Sequence, residues 1–124
     1  MTQYERLGGE PAVAALLEGL YVRVLADPLL TPFLENIDLP RLKTHQFAFI
    51  TQALGGPAQY SIPSLAAAHA RLAIEQRHFD AFLRHLRSAL QEICAPDDLA
   101  AELVANASAL NSVIVNTPTG TTAA

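Results

Sequence analysis

Residues 41–54 read RLKTHQFAFITQAL, and this stretch decides the fold that the chain can adopt. Apolar residues recur in it at spacings of three and four, which is typical of one buried face of an α-helix. This face comprises Leu42, Phe49, Ile50, Ala53 and Leu54. The same face also carries His45 and Gln46. Both need partners, because an unpaired polar group costs about 1–3 kcal/mol when it is buried.

Helical periodicity continues along the rest of the chain, and we find no convincing run of strand alternation. We expect long helices at about Pro11–Ala26, from Gln76 to just before Pro96, and from Pro96 to about Asn116. The stretch DPLLTPFLENIDLP contains three prolines and predicts only a turn or two of helix. A short alanine-rich helix, SLAAAHARL, follows the loop GGPAQYSIP. The sequence therefore predicts an all-α domain over residues 1–116 and a disordered tail at 117–124.

Composition excludes several classes of partner. The 124 residues carry a net charge of −4, which argues against nucleic acid or an anionic membrane as the main partner. A single cysteine, Cys94, rules out an internal disulfide, and we expect it in the core or at its boundary. The polar start MTQYERLGGEP does not resemble a signal peptide, and no apolar run approaches the ~20 residues of a membrane span. We expect a cytoplasmic protein.

Polar residues interrupt the apolar faces of three predicted helices: Tyr21, the pair His45 and Gln46, and His69. They could satisfy one another or nearby carbonyl groups. A ligand that they share would explain all of them together. Imidazole binds iron, copper and zinc well.

A haem is the most economical ligand of this kind. Zinc normally takes four protein donors, or three and a water, and the buried faces offer only two histidines. His78 and His85 lie at the boundary of their helix face and do not resemble ligands. A porphyrin needs only one protein imidazole and an apolar slot. A phenol and an amide opposite that imidazole would hydrogen-bond a diatomic gas.

The chain resembles the truncated haemoglobins of group I from Tyr4 to about Val115. The resemblance is carried by YERLGGE at 4–10, LYVRVLADP at 20–28, HQFAFITQALGGP at 45–57, AAAH at 66–69 and HFDAFLRHL at 78–86. It implies a globin-like, two-over-two helical sandwich around haem b. The spacing of twelve residues from Pro57 to His69 is part of the same resemblance.

The resemblance also implies roles for individual residues. His69 matches the proximal iron ligand, Tyr21 the distal tyrosine and Gln46 the distal glutamine, and Leu42 takes the gate position. Tyr60 would approach the haem edge. The positions that line the haem in the family correspond here to Phe49, Ile50, Leu65, Phe79, Phe82 and Leu86.

His45 places the chain near the cyanobacterial members, in which the equivalent histidine can bind iron on the distal side when no gas is present. A six-coordinate, bis-histidine state is therefore expected, with His69 and His45 as the two metal ligands. In the alternative, His45 turns outward toward a propionate or solvent.

Three positions depart from the family pattern. Phe33-Leu34 replaces a Phe-Phe pair, so either Phe33 or Leu34 packs on the haem. Ile50 replaces a phenylalanine that is associated with a ligand tunnel. Some relatives bond a histidine of the last helix to the haem, whereas the matching position here is near Ser112 and that helix has no histidine. We therefore expect non-covalent haem.

The function implied is reversible binding of O₂, NO or CO by a monomeric protein, with oxygen transport as one use. Conversion of NO to nitrate, or peroxidase-type removal of reactive oxygen and nitrogen species, would need an external reductase. The alternatives are an electron-transfer or redox-sensing haem protein, and a cofactor-free helical interaction module.

Overall fold

The computed structural model describes residues 1–56, 69 and 72–115, and every regular element in these ranges is helical. Tyr60, Leu65, most of the alanine-rich segment and the tail at 117–124 lie outside the described residues. The elements are α1 Gln3–Leu7, α2 Gly9–Leu25, a 3₁₀ helix Thr31–Leu34, α3 Leu39–Ala53, α4 Gln76–Glu92, α5 Asp97–Ser108 and α6 Asn111–Ile114.

Two pairs of helices form the fold. α2 packs against α3, α4 packs against α5, and the two pairs meet mainly where α2 contacts α4. This is the two-over-two sandwich expected. The apolar face of α2 is buried, and the largest fully buried side chains among the described residues are Leu16, Leu20, Leu90, Leu99 and Val13.

Side-chain caps fix where two of the helices begin. The Oγ1 atom of Thr2 accepts a hydrogen bond from the Glu5 backbone N–H at 3.1 Å, and the Glu5 carboxylate accepts one from the Thr2 N–H at 2.9 Å. At α3, an Asp38 carboxylate oxygen accepts from the Arg41 N–H at 3.2 Å, and Pro40 lies in the first turn. Asp38 and Pro40 therefore fix the start of α3.

The first helix is attached to two distant parts of the chain. Its Tyr4 backbone N–H donates to the Leu54 carbonyl at the end of α3, at 2.9 Å. Arg6 forms an ion pair of 2.7 Å with Asp98 in the first turn of α5. Tyr4 also lies against Gly56, where an added Cβ would come within 2.9 Å of the Tyr4 ring and 2.7 Å of Thr51 Cγ2. Glycine at position 56 therefore permits the close approach of α1 to α3.

Two sequence predictions of the fold are wrong in detail. The last helix is not continuous to Asn116, because α5 ends at Ser108 and the chain turns before α6. Residues 106–112 contain two asparagines and two serines, which compete with the helical backbone for hydrogen bonds. Cys94 is exposed and not in the core or at its boundary, because it lies in a left-handed turn, φ 59°, after α4. In the described part of the chain, no helix is long and apolar enough to cross a bilayer.

Candidate functional site

A cavity of about 410 Å³ lies between the helix pairs. Its walls come from α2, the 3₁₀ helix, α3, α4, α5 and α6, together with His69. The lining is mostly apolar, and its few polar side chains are those of Tyr21, His45, Gln46, His69, His78 and Asn106. An apolar cavity of this size with few polar groups is typical of a cofactor site.

Tyr21 is the most buried polar side chain of the cavity, with 3% of its surface exposed. α2 directs it inward because Leu17, Leu20 and Val24 share its buried face. Burial raises the pKa of Tyr21 above its ordinary value, so the phenol stays protonated at neutral pH. Its hydroxyl forms no hydrogen bond with the described residues, and burial is the only influence on its pKa, so it can donate to a molecule in the cavity.

Two imidazoles on different segments line the same cavity. His69 is half-buried and comes from the segment before α4, whereas His45 projects from α3 and is exposed. Gln46, the next residue of α3, is half-buried and also lines the cavity. The structure thus places Tyr21, Gln46 and both histidines around one cavity.

The remaining predicted lining residues of the described ranges also reach the cavity. Phe33 and Leu34 of the 3₁₀ helix are both half-buried, and both line the cavity. The other predicted members that line it are Leu42, Phe49, Ile50, Phe79, Phe82 and Leu86.

His78 was expected at the helix boundary, and this prediction is wrong, because the side chain is buried and lines the cavity. Its Nδ1 accepts a hydrogen bond from the Glu75 backbone N–H at 2.9 Å, at the start of α4. This cap turns the ring inward, and leaves Nε2 to carry the proton of the neutral ring. The ring also meets Phe33 edge to face, with 4.7 Å between ring centres.

Sequence reasoning also missed a wall of the cavity at the carboxyl end of the described chain. Asn106, Ala107, Leu110 and Ile114 line it. Leu110 and Ile114 fall within the single last helix that the sequence predicts from Pro96 to about Asn116. The break before Asn111 brings α6 against α4, with Leu110 and Ile114 in the cavity wall. Periodicity alone could not locate that break.

The chemistry of these donors fits a haem. Within the described ranges, no group of three or more His, Cys, Asp or Glu side chains could hold a metal ion by itself. A porphyrin supplies four nitrogen ligands and needs only one imidazole, which His69 can provide. The apolar walls suit the macrocycle, and the unpartnered Tyr21 hydroxyl suits a small polar ligand beside it.

Comparison with known proteins gives one consistent result. The family model described as bacterial-like globin matches residues 2–116. The chain is 38% identical over 112 residues to the group 1 truncated hemoglobin GlbN of Synechocystis sp., covering 87% of this chain and 90% of that protein. Its fold is similar to the Fe(III) form of truncated hemoglobin from Tetrahymena pyriformis, with TM-score 0.86, 31% identity, and 93% and 98% of the two chains covered.

A second solved structure is similar to the same extent. It is the 2/2 hemoglobin of Synechococcus sp. in the cyanomet state with covalently attached heme. The TM-score is 0.86 at 34% identity, with 94% of this chain and 99% of that chain covered.

Proposed function

The chain belongs to the bacterial-like globin family, among the group 1 truncated haemoglobins, and from this we propose roles for polar residues that line its cavity. The family itself implies a haem cofactor and the binding of O₂ or another diatomic gas. His69 serves as the proximal iron ligand. Tyr21, assisted by Gln46, donates a hydrogen bond to the gas. When bound, haem supplies the iron at which gases bind reversibly.

The observation that carries this proposal is the state of Tyr21. Its side chain is buried and its phenol is kept protonated by burial. Its side chain borders the cavity, and its hydroxyl forms no hydrogen bond with the described residues. A buried donor without an acceptor costs free energy, so a ligand that accepts a hydrogen bond from it gains affinity. A hydrogen bond from Tyr21 to a gas that carries partial negative charge, as O₂ would in a haem site, would be charge-assisted and would slow gas release.

His45 is proposed as a second, displaceable iron ligand in the absence of gas. Two features support this: His45 lines the cavity that His69 lines, and the sequence around it is similar to that of cyanobacterial relatives. A gas must then displace His45, so the apparent affinity for the gas is lower when a larger fraction of the protein has His45 on the iron. The exposure of His45 provides room for the side chain to withdraw.

The proposed chemistry beyond gas binding is oxidation of NO to nitrate at the expense of O₂. The sequence carries no flavin- or nicotinamide-binding signature, so we propose that a separate reductase returns the protein to the ferrous state. The haem is proposed to be non-covalent haem b, since residues 97–115 contain no histidine and the matching position lies near Ser112. Extraction with acidified organic solvent should remove all haem from the polypeptide.

The test is the absorption spectrum of purified protein in the ferric, dithionite-reduced and CO-bound states. Sharp, split low-spin bands after reduction support His45 and His69 as joint ligands, whereas a broad high-spin spectrum contradicts the role of His45. His69→Gly should lose the haem or bind it only with added imidazole. A chain that shows no Soret band after reconstitution would overturn the proposal. Persistent bis-histidine bands with sluggish O₂ binding would favour electron transfer.

A further inference from the structure

Lys43 of α3 lies over the aromatic ring of Tyr21 in α2. The distance from Nζ to the ring centre is 5.8 Å, within the ~6 Å at which a cation is attracted to an aromatic face. Lys43 is not among the residues that line the cavity. Its ammonium group therefore meets Tyr21 from outside the cavity, while the Tyr21 side chain borders the inside.

An acidic residue holds Lys43 in this place. Oε1 of Glu18, in α2, lies 3.5 Å from Nζ. Glu18 precedes Tyr21 by three residues, so both lie on one side of α2 and can be contacted by a single α3 side chain. The Lys43 side chain is 30% exposed, and its ammonium is therefore only partly screened by water.

We propose that Lys43 is a positioning residue for the gas-binding phenol of Tyr21, with Glu18 as its anchor. The inference rests on the proposed role of Tyr21. The ammonium restrains the ring, and its positive charge stabilises the negative charge that develops on the phenol oxygen when the O–H group donates. The O–H group becomes a stronger donor to a ligand in the cavity. This electrostatic effect opposes that of burial, which disfavours negative charge on the phenol.

The experiment uses the haem-loaded protein and four single variants. Lys43→Met removes the charge and retains the length of the side chain, Lys43→Arg keeps the charge, and Glu18→Gln removes the anchor. Arg41→Met is the matched control, since it removes the same charge from an exposed position of the same helix. The measurements are the O₂ dissociation rate and the C–O stretching frequency of the CO complex, which reports the polarity around the gas independently of turnover.

We expect Lys43→Met to release O₂ about 2- to 5-fold faster, the range implied by a cation–π contact at a partly exposed site. Its C–O band should move to higher frequency. The O₂ dissociation rate and the C–O frequency of Lys43→Arg and Arg41→Met should stay close to the parent values. Those of Glu18→Gln should lie between the values of the parent and Lys43→Met. An unchanged rate and band in Lys43→Met, or an equal shift in Arg41→Met, overturns the inference. Should Lys43→Met fail to fold, Lys43→Gln gives the same comparison.

Tyr21→Phe separates this inference from the function on which it rests. If Tyr21→Phe releases O₂ at the parent rate, the proposed role of Tyr21 is wrong. If Tyr21→Phe releases O₂ faster while Lys43→Met matches the parent, only the role of Lys43 is wrong. In a Tyr21→Phe background, Lys43→Met should have less effect on the rate, because the phenol that Lys43 acts on is gone.

Discussion

The Nε2 atom of His85 lies 2.7 Å from Oδ2 of Asp27, and this contact joins α4 to the turn that follows α2. The other carboxylate oxygen of Asp27 accepts a hydrogen bond from the Leu29 backbone N–H at 2.9 Å. Asp27 thereby fixes the segment that leads to the 3₁₀ helix, from which Phe33 and Leu34 enter the cavity. An ionised Asp27 carboxylate can make both contacts at once and so helps to fix this part of the cavity wall.

Acidification should weaken this attachment. The hydrogen bond from His85, followed by that from Leu29, lowers the pKa of Asp27 below its ordinary value of 3.8. A lowered folded-state pKa contributes stability above pH 3.8, and this stability is lost as pH falls further through the folded value. Asp27→Asn should therefore be less stable than the parent at pH 7, and the difference should narrow below pH 3.8. Denaturant unfolding at several pH values measures this.

The matched control for Asp27 is Asp97→Asn. Asp97 is exposed and makes no ion pair within the described chain. At pH 7 the free energy of unfolding of its variant should therefore lie closer to that of the parent than the value for Asp27→Asn does. An Asp27→Asn protein whose stability difference from the parent is the same at pH 7 and pH 3 would contradict the prediction.

Gly56→Ala should destabilise the protein by about 1–3 kcal/mol, because the new methyl group would overpack Tyr4 and Thr51 at 2.9 Å and 2.7 Å. Gly19→Ala offers a contrast, because its new methyl group meets mainly the exposed end of Glu92, which can move away. Within α2 this change should be neutral or stabilise the protein by up to about 1 kcal/mol. Thermal unfolding of both variants tests the pair, and similar losses in both would be the contrary result.

Tyr21→Phe should speed O₂ release about 10- to 100-fold, the range expected for loss of a hydrogen bond to a partly charged acceptor. CO release should change less, because bound CO carries less negative charge than bound O₂. Stopped-flow displacement of each gas supplies the rates. Equal acceleration of both gases would indicate a change of cavity shape and not the loss of a donor.

His45→Ala should speed gas binding and convert the reduced spectrum from low-spin to high-spin. If about nine-tenths of the parent is six-coordinate, the apparent affinity should rise about tenfold. Thr44→Ala, at the adjacent exposed position, is the control and should leave the spectrum unchanged. Identical spectra for parent and His45→Ala would exclude His45 as an iron ligand.

Much of this architecture could be predicted from the sequence because the long helices carry strong periodicity. Val13, Leu16 and Leu20 are buried as their spacing requires. The polar residues Tyr21 and Gln46 were recognisable because they interrupt apolar faces. When the apolar faces of α2 and α3 pack together, these polar residues line the same cavity.

The parts that were missed depend on contacts between segments far apart in sequence. His78 turns inward because its ring caps α4 and meets Phe33, 45 positions earlier. The break between α5 and α6 reflects low helix propensity combined with the packing of α6 on α4. Neither the cap nor that packing has a periodic signature.

The attachment of α1 has a consequence for synthesis on the ribosome. Arg6 and Gln3 contact Asp98 and Glu102, residues 92 and 99 positions later in the chain. Translation proceeds at about 5–20 residues per second, so these partners emerge several seconds after the segment that they hold. Until then α1 lacks the side-chain contacts that attach it to α5. These contacts can form only when the carboxyl-terminal quarter of the chain has been made. A chain truncated before Asp98 would lack both partners of α1.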